Sequence, residues 1–427
     1  MPALVLLVAM CLGMPVAIAL GAGALVFFLT ADGIPVAAFA QKVQSSFGTG
    51  ALLAIPLFVL AGALLNLSGV SRRLFALAEA LVGNSTGGLA KVNVVLATLI
   101  GGVSASAAAD AAMQAKLVGQ PMVARGYPRP FVAAVIAASA LIDPLIPPGI
   151  GFILYGAMTE TSVGRLFAAG VVPGLMMCAA LLVTVHVMAK VGGYDAARRD
   201  AAGATPRHVV ILGALRRAWI ALLMPVFVVL GIRYGLFTPT EAGGVLVVIA
   251  LLYGFVIYRE LRPADIGHAL RETIDVTSSL MLIVAVSTAF AFYLTWEGMP
   301  QQLTRLVLGH VTDQLTIIII VNVVLFAVGT FLEPIPAMII LVPILHPIAL
   351  RVGIDPVHMG VMVVLNLTIG AITPPIGTVM FLVNSVLGVS VAQFAWASLP
   401  LLGALLLVLA AISFVPELCL ALPRALY

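Results

Sequence analysis

Long apolar runs separated by short polar stretches fill almost the whole chain. A helix rises about 1.5 Å per residue and the hydrocarbon core of a bilayer is about 30 Å thick, so about 20 apolar residues predict one crossing. The first run, 3–29, has no charged stretch before it and is too long for the core of a secretory signal, which predicts a retained first span. Runs at about 50–67, 166–189, 219–236, 240–258 and 275–295, and a last one ending near residue 415, predict further continuous spans. Two runs fit neither one crossing nor two. Residues 92–124 are interrupted by Gly101-Gly-Val-Ser-Ala-Ser-Ala-Ala-Ala-Asp110, and 315–350 by Gly329-Thr-Phe-Leu-Glu-Pro-Ile-Pro336. Each predicts a re-entrant helical hairpin.

Two more runs are broken by proline. The run at about 130–163 contains Ile142-Asp-Pro-Leu-Ile-Pro-Pro-Gly-Ile-Gly151, and that at about 357–389 contains Ile369-Gly-Ala-Ile-Thr-Pro-Pro-Ile-Gly-Thr378. Proline removes a backbone donor and clashes with the carbonyl a turn earlier, so C=O groups at mid-span depth lose their helical partners. Bare backbone inside a bilayer is tolerated only where protein covers it or where it lines a cavity. Such breaks are where secondary transporters hold ions and substrates.

The breaks belong to an internal repeat. An offset of 227 residues places Gly102 on Gly329, Gly126 on Gly353, Ile142 on Ile369, Pro147 and Pro148 on Pro374 and Pro375, Phe167 on Phe394 and Pro173 on Pro400, without a gap. The halves are then 1–189 and 218–427, with 190–217, the longest polar stretch, as a cytoplasmic connector. If both hairpins return to their side of entry, fourteen of the twenty-one Lys and Arg fall on one face and six on the other, with Lys116 inside the first hairpin uncounted. The positive-inside tendency makes the rich face cytoplasmic, so the two hairpins enter from opposite faces and the halves are inverted. The N-terminus is then expected in the cytoplasm and the C-terminus on the outer face.

Composition agrees and excludes other classes. The 427 residues are 62% hydrophobic and 9% charged, against about 25% charged in a soluble domain. The net charge of +4 comes from basic residues in loops between spans, which speaks for membrane orientation and against nucleic acid. Cys11, Cys178 and Cys419 lie far apart, with no metal or disulfide spacing. No H-E-x-x-H zinc motif and no phosphate-binding G-x-x-x-x-G-K-[ST] motif occurs, so this chain does not itself hydrolyse ATP.

The fold class read from these signs is an all-α polytopic membrane protein with two re-entrant hairpins and two proline-broken spans in an inverted repeat. Each hairpin tip then meets the broken span of its own half, where unwound carbonyls and small hydroxyls can hold a dehydrated sodium ion. The first candidate ion site comprises Ser104, Ala105 and Ser106 with Ile146, Pro147 and Gly149. The second comprises Gly329 and Thr330 with Thr373, Pro374 and Gly377. For each Ser or Thr the alternative is a hydroxyl bonded back to its own helix. Acidic residues inside apolar spans are costly and default to functional roles, which singles out Asp110, Asp143 and Glu333 as substrate-side candidates, together with Asn366. Asp143 either places a carboxylate beside the unwound segment or caps the half-helix that follows. Glu241, in Thr238-Pro-Thr-Glu241, reads as a capping box instead.

Pro56-Leu-Phe-Val-Leu-Ala-Gly62, residues 101–112, Ile146-Pro-Pro148 with Tyr155-Gly156, Phe237-Thr-Pro-Thr-Glu-Ala242 and Thr373-Pro-Pro-Ile-Gly377 resemble, essentially end to end, the large membrane subunit of tripartite ATP-independent periplasmic (TRAP) transporters. That resemblance implies an elevator-type carrier of the ion transporter superfamily in the bacterial inner membrane. It implies sodium as the coupling ion and no other cofactor. It also implies a small organic acid as cargo, a periplasmic substrate-binding protein that delivers it, and a separate small four-helix membrane subunit. The family's ion-binding loops match at Ser104, Ser106, Pro147, Pro148, Gly329, Thr373, Pro374, Pro375 and Gly377. They differ at Ala105 and Asp143, where the family commonly has Gly, and at Gly149, where it commonly has Ser. Two other classes remain open on the residues alone: an intramembrane enzyme using Asp110 and Asp143 as an acid pair, and a passive channel or scaffold.

Overall fold

The computed structural model describes residues 1–48, 50–101, 107–194, 207–309, 311 and 313–427, and among these the chain is helical with no strand. Among the described residues, six helices are long and apolar enough to cross a membrane, or eight if two bent pairs each count as one span. Large apolar side chains on the outside, such as Trp396 at 78% exposure and Leu407 at 73%, are what a lipid-facing surface carries.

The first apolar run is not one span. It folds as two helices, Pro2–Cys11 and Val16–Thr30, that pack on each other and on Pro263–Trp296. Gly13, with φ +76°, and Pro15, which has no N–H to donate, turn the chain between them. The pair approaches closely at Gly23, where an added Cβ would lie 3.0 Å from the Pro2 carbonyl oxygen. Leu20, Phe27, Phe28 and Phe290 form a core of their own, separate from the main one.

A second difference concerns residues 69–90, which read as a polar, glycine-rich stretch. Val70–Val82 is a helix, bent by 69° from Ala54–Leu67 at Gly69, whose φ is +75°. The bend turns Arg72 and Arg73 toward Glu260 in the second half. Arg73 pairs with Glu260 at 2.7 Å, Arg72 pairs with the other carboxylate oxygen, and the Arg73 guanidinium lies 3.5 Å from the Tyr258 ring centre. The helix Arg207–Arg233 likewise begins inside the stretch read as connector. The capping box at Thr238 and Glu241 is present as expected, with the Thr238 N–H donating to Glu241 Oε2 at 2.7 Å.

The two broken spans are the centre of the main core. The first consists of Arg129–Ala140, a short turn Asp143–Leu145 and Ile150–Thr159; the second of Pro356–Gly370 and Thr378–Leu387. Gly126 and Gly353, matched by the repeat offset, both turn the chain before these spans with positive φ, +86° and +79°. Each broken span is followed by a long helix with an internal proline, Pro173 in Val163–Val191 and Pro400 in Val391–Phe414, and both start on a Ser N-cap, Ser162 and Ser390. The hairpin arms are Gly88–Gly101 and Ala107–Gln114 in the first half, and Gln314–Gly329 and Pro334–Arg351 in the second. The repeat is therefore a repeat of three-dimensional structure.

Tyr155 joins the halves. Fully buried on Ile150–Thr159, it donates its O–H to the Pro356 carbonyl at 3.0 Å, and its oxygen lies 2.9 Å from His346 Nδ1 on the second hairpin. Tyr155→Phe removes a partner from both, and a buried polar group left unmatched costs about 1–3 kcal/mol. The expected outcome is a lower midpoint of thermal unfolding in detergent with no change of fold.

Candidate ion and substrate site

At each break the helix stops offering donors over the same length of chain. Among the described residues, no backbone or side-chain donor reaches the carbonyls of residues 144–148 or 372–376. Proline explains part of this, since residues 147, 148, 374 and 375 have no N–H. The rest follows from the restart of each helix. Ile150–Thr159 opens at Gly149, whose carbonyl accepts from Phe152 at 3.2 Å. The second restart folds back on its own break, where Val379 N–H donates to the Ala371 carbonyl at 3.0 Å. Carbonyl oxygens without donors are hard, neutral ligands of the kind that replace the hydration shell of a small cation.

Glycine lets backbone close around each break. In the second half, a Cβ on Gly370 would sit 2.5 Å from the Gly329 carbonyl carbon, so the end of the hairpin arm lies backbone to backbone on the broken span. In the first half, a Cβ on Gly101 would sit 3.0 Å from Ile146 Cβ and 3.1 Å from Asp143 Cα. Gly149 passes against the Pro144 carbonyl, and Gly170 of the following helix against the Leu145 carbonyl, each too close for a side chain. The two cradles differ in cover. Ile146, Pro147, Pro148 and Gly149 are buried, whereas Pro375 and Ile376 are exposed.

The predicted site residues fall into these surroundings unevenly. Gly329 ends the second hairpin arm and Thr330 caps it, and Gly329 lies on Gly370, three residues before Thr373. Thr330 donates its hydroxyl to the Ala327 carbonyl at 2.7 Å and Thr373 to Ile369 at 3.0 Å, the back-bonded alternative, which leaves their oxygen lone pairs available. Ser104, Ala105 and Ser106 lie outside the described residues. Glu333 is exposed at the N-cap of Pro334–Arg351, with no side-chain capping bond. Asp143 does not cap the half-helix; Gly149 holds that place. The Asp143 carboxyl instead meets that of Asp110, both fully buried at 0% and 1% exposure. Asn366 is also fully buried and faces Asn322 on the hairpin arm, donating to its Oδ1 at 2.8 Å and to its backbone carbonyl at 3.0 Å.

Asn93, Ser139 and Asn322 were not singled out from the sequence, although each is a polar residue in an apolar helix. That signal alone points to contacts between helices. A cavity of about 360 Å³ opens between Leu154 and Met158 of the first broken span, Ile339 and Pro343 of the second hairpin, and Ser287 and Thr288 of Pro263–Trp296. Among the described residues, none of the predicted ion-site residues lines it.

Residues 3–418 match the family model described as tripartite ATP-independent periplasmic transporter, DctM component. The chain belongs to the DctM family. The sialic acid TRAP transporter large permease protein SiaM of Vibrio cholerae is 37% identical over 416 residues, 96% of this chain and 95% of the relative. The C4-dicarboxylate TRAP transporter large permease protein DctM of Pseudomonas aeruginosa is 38% identical over 373 residues, 87% and 86% of the two chains. In overall fold the DctM-family chain resembles the YdaH transporter of Alcanivorax borkumensis, with a TM-score of 0.57 at 15% identity over 91% of this chain and 90% of the other. It is a multi-pass TRAP large permease, a transport protein rather than an enzyme.

Proposed function

We propose that this DctM-family chain is the permease subunit of a sodium-driven TRAP transporter in the bacterial inner membrane. It takes up a small organic acid delivered by a periplasmic binding protein and works beside a small four-helix membrane subunit. The observation that carries the reading is the pair of five-carbonyl cradles at residues 144–148 and 372–376, the first with its hairpin arm against Ile146 and the second with its hairpin arm against Gly370, just before the break. Neutral oxygen ligands suit a monovalent cation that must be released as well as bound. The first sodium site is proposed at Ile146, Pro147 and Gly149 with Ser104, Ala105 and Ser106. The second is proposed at Thr373, Pro374 and Gly377 with Gly329 and Thr330. The cargo class follows from relatives named for sialic acid and for C4-dicarboxylates, both carboxylates. In this reading the hairpins and broken spans move together as an elevator, past helices such as Ala54–Leu67 and Pro263–Trp296. The cavity of about 360 Å³ lies where the two groups meet and is the proposed place of the cargo.

The test is uptake into proteoliposomes holding the chain and its small subunit. A radiolabelled acid, identified as the ligand copurifying with the cognate binding protein, is expected to accumulate only with that protein present and an inward sodium gradient. Uptake indifferent to sodium would remove the coupling, and currents without saturable uptake would favour a channel.

A further inference from the structure

The two ion cradles are held against their hairpins by a matched pair of polar contacts deep among apolar helices. In the first half, Asn93 on Gly88–Gly101 donates its amide N–H to Ser139 Oγ on Arg129–Ala140 at 2.6 Å. In the second, Asn366 on Pro356–Gly370 donates to Asn322 on Gln314–Gly329. Ser139 and Asn366 are related by the repeat offset of 227. Each stands about one helical turn before the point where the hairpin touches the broken span, Asp143 in one half and Gly370 in the other. The arm residues, Asn93 and Asn322, each stand about two turns before the contacting glycines, Gly101 and Gly329. Donor and acceptor change sides between the halves, but the place of the contact does not.

Stability alone does not explain these pairs. Asn93 Oδ1 and Asn366 Oδ1 are buried with no hydrogen-bond partner, and both residues are 0% exposed. An unmatched buried oxygen costs about 1–3 kcal/mol, and two apolar side chains of similar shape at the same place would avoid that cost. What the polar contact supplies is register. Two apolar helices can slide past one another with little change in packing, whereas a hydrogen bond is lost once its atoms separate by more than about half an ångström. An ion held by backbone carbonyls on one element and a hairpin on the other senses that slide directly.

We propose that Asn93 with Ser139, and Asn322 with Asn366, are positioning pairs that fix each hairpin against its broken span and thereby set the sodium affinity of each half. The proposal rests on the sodium reading above, and its test separates the two. The full-length protein in detergent is melted over a sodium chloride series, with choline chloride holding ionic strength constant. The sodium concentration giving half-maximal stabilisation is read for the native protein and for Asn93→Leu, Ser139→Ala and Asn366→Leu.

Removing a partner that orients a ligand typically weakens metal binding about 10- to 100-fold. Each variant is expected to raise the half-maximal concentration by that factor, and Ser139→Thr, which keeps the hydroxyl, is expected to restore the native value. The double variant Asn93→Leu/Ser139→Ala is expected to regain melting temperature without sodium while keeping the weakened sodium response. Variants that melt earlier but keep the native half-maximal concentration would overturn the proposal and leave a structural role only. A native protein whose melting ignores sodium would remove the sodium reading, and this inference with it.

Discussion

Replacing Gly370 by alanine is expected to abolish uptake while leaving the protein folded and inserted. The added Cβ would sit 2.5 Å from the Gly329 carbonyl carbon and 2.6 Å from its oxygen, both backbone atoms with no rotamer to change. Arm and span must separate, at the point where the second cradle meets its hairpin. A displacement of about 1 Å at a positioned site can cost about 100-fold in rate, and a loss of that size in initial uptake is expected. Gly403→Ala is the control. It lies in the long helix Val391–Phe414 with no atom within 4 Å of its added Cβ, and uptake should be unchanged. Normal uptake by Gly370→Ala would show that the hairpin need not touch the break.

The second large effect concerns Asp143. Its carboxyl meets that of Asp110 in a buried place, and no ion pair among the described residues includes Asp143. Two carboxylates side by side repel, and neither can donate a hydrogen bond to the other unless it carries a proton. Asp143→Asn keeps the shape and supplies an N–H that can donate to Asp110. It is expected to raise the midpoint of thermal unfolding by a few degrees. Asp143→Leu supplies no donor to the buried Asp110 carboxyl in its place and is expected to lower it. A lower midpoint for Asp143→Asn would mean that the carboxyl pair stabilises the fold. The same two variants bear on coupling. The repeat places Gly370 opposite Asp143, so the first half carries a carboxyl where the second carries no side chain.

The breaks were legible because proline and glycine act locally. Pro147, Pro148, Pro374 and Pro375 remove donors in any surroundings, so the sequence alone located both cradles and the repeat that relates them. The fold class followed, since bare carbonyls in a bilayer need hairpins or neighbouring helices to cover them. Other features depend on what packs against what. Nothing in an apolar run such as 3–29 distinguishes a single crossing from two helices folded back at Gly13 and Pro15, because both bury the same residues in a non-aqueous surrounding. Residues 69–90 appear polar because Arg72, Arg73 and Glu79 are polar, yet the first two serve a partner, Glu260, that lies nearly two hundred residues away. The pairing of Asn366 with Asn322 was hidden for the same reason. Within one helix a lone Asn says only that some partner exists. The meeting of Asp110 and Asp143 required the hairpin to be folded onto the break before it could be seen.

The unequal cover of the two cradles has a kinetic consequence. Pro375 and Ile376 stand open, while residues 146–149 are buried, with Gly101 and Gly174 packed on Ile146. On the sodium reading proposed above, an ion in the second cradle would exchange without rearrangement, and one in the first would wait for packed helices to part. Mirror-related halves of similar chemistry would then give one quick berth and one slow one.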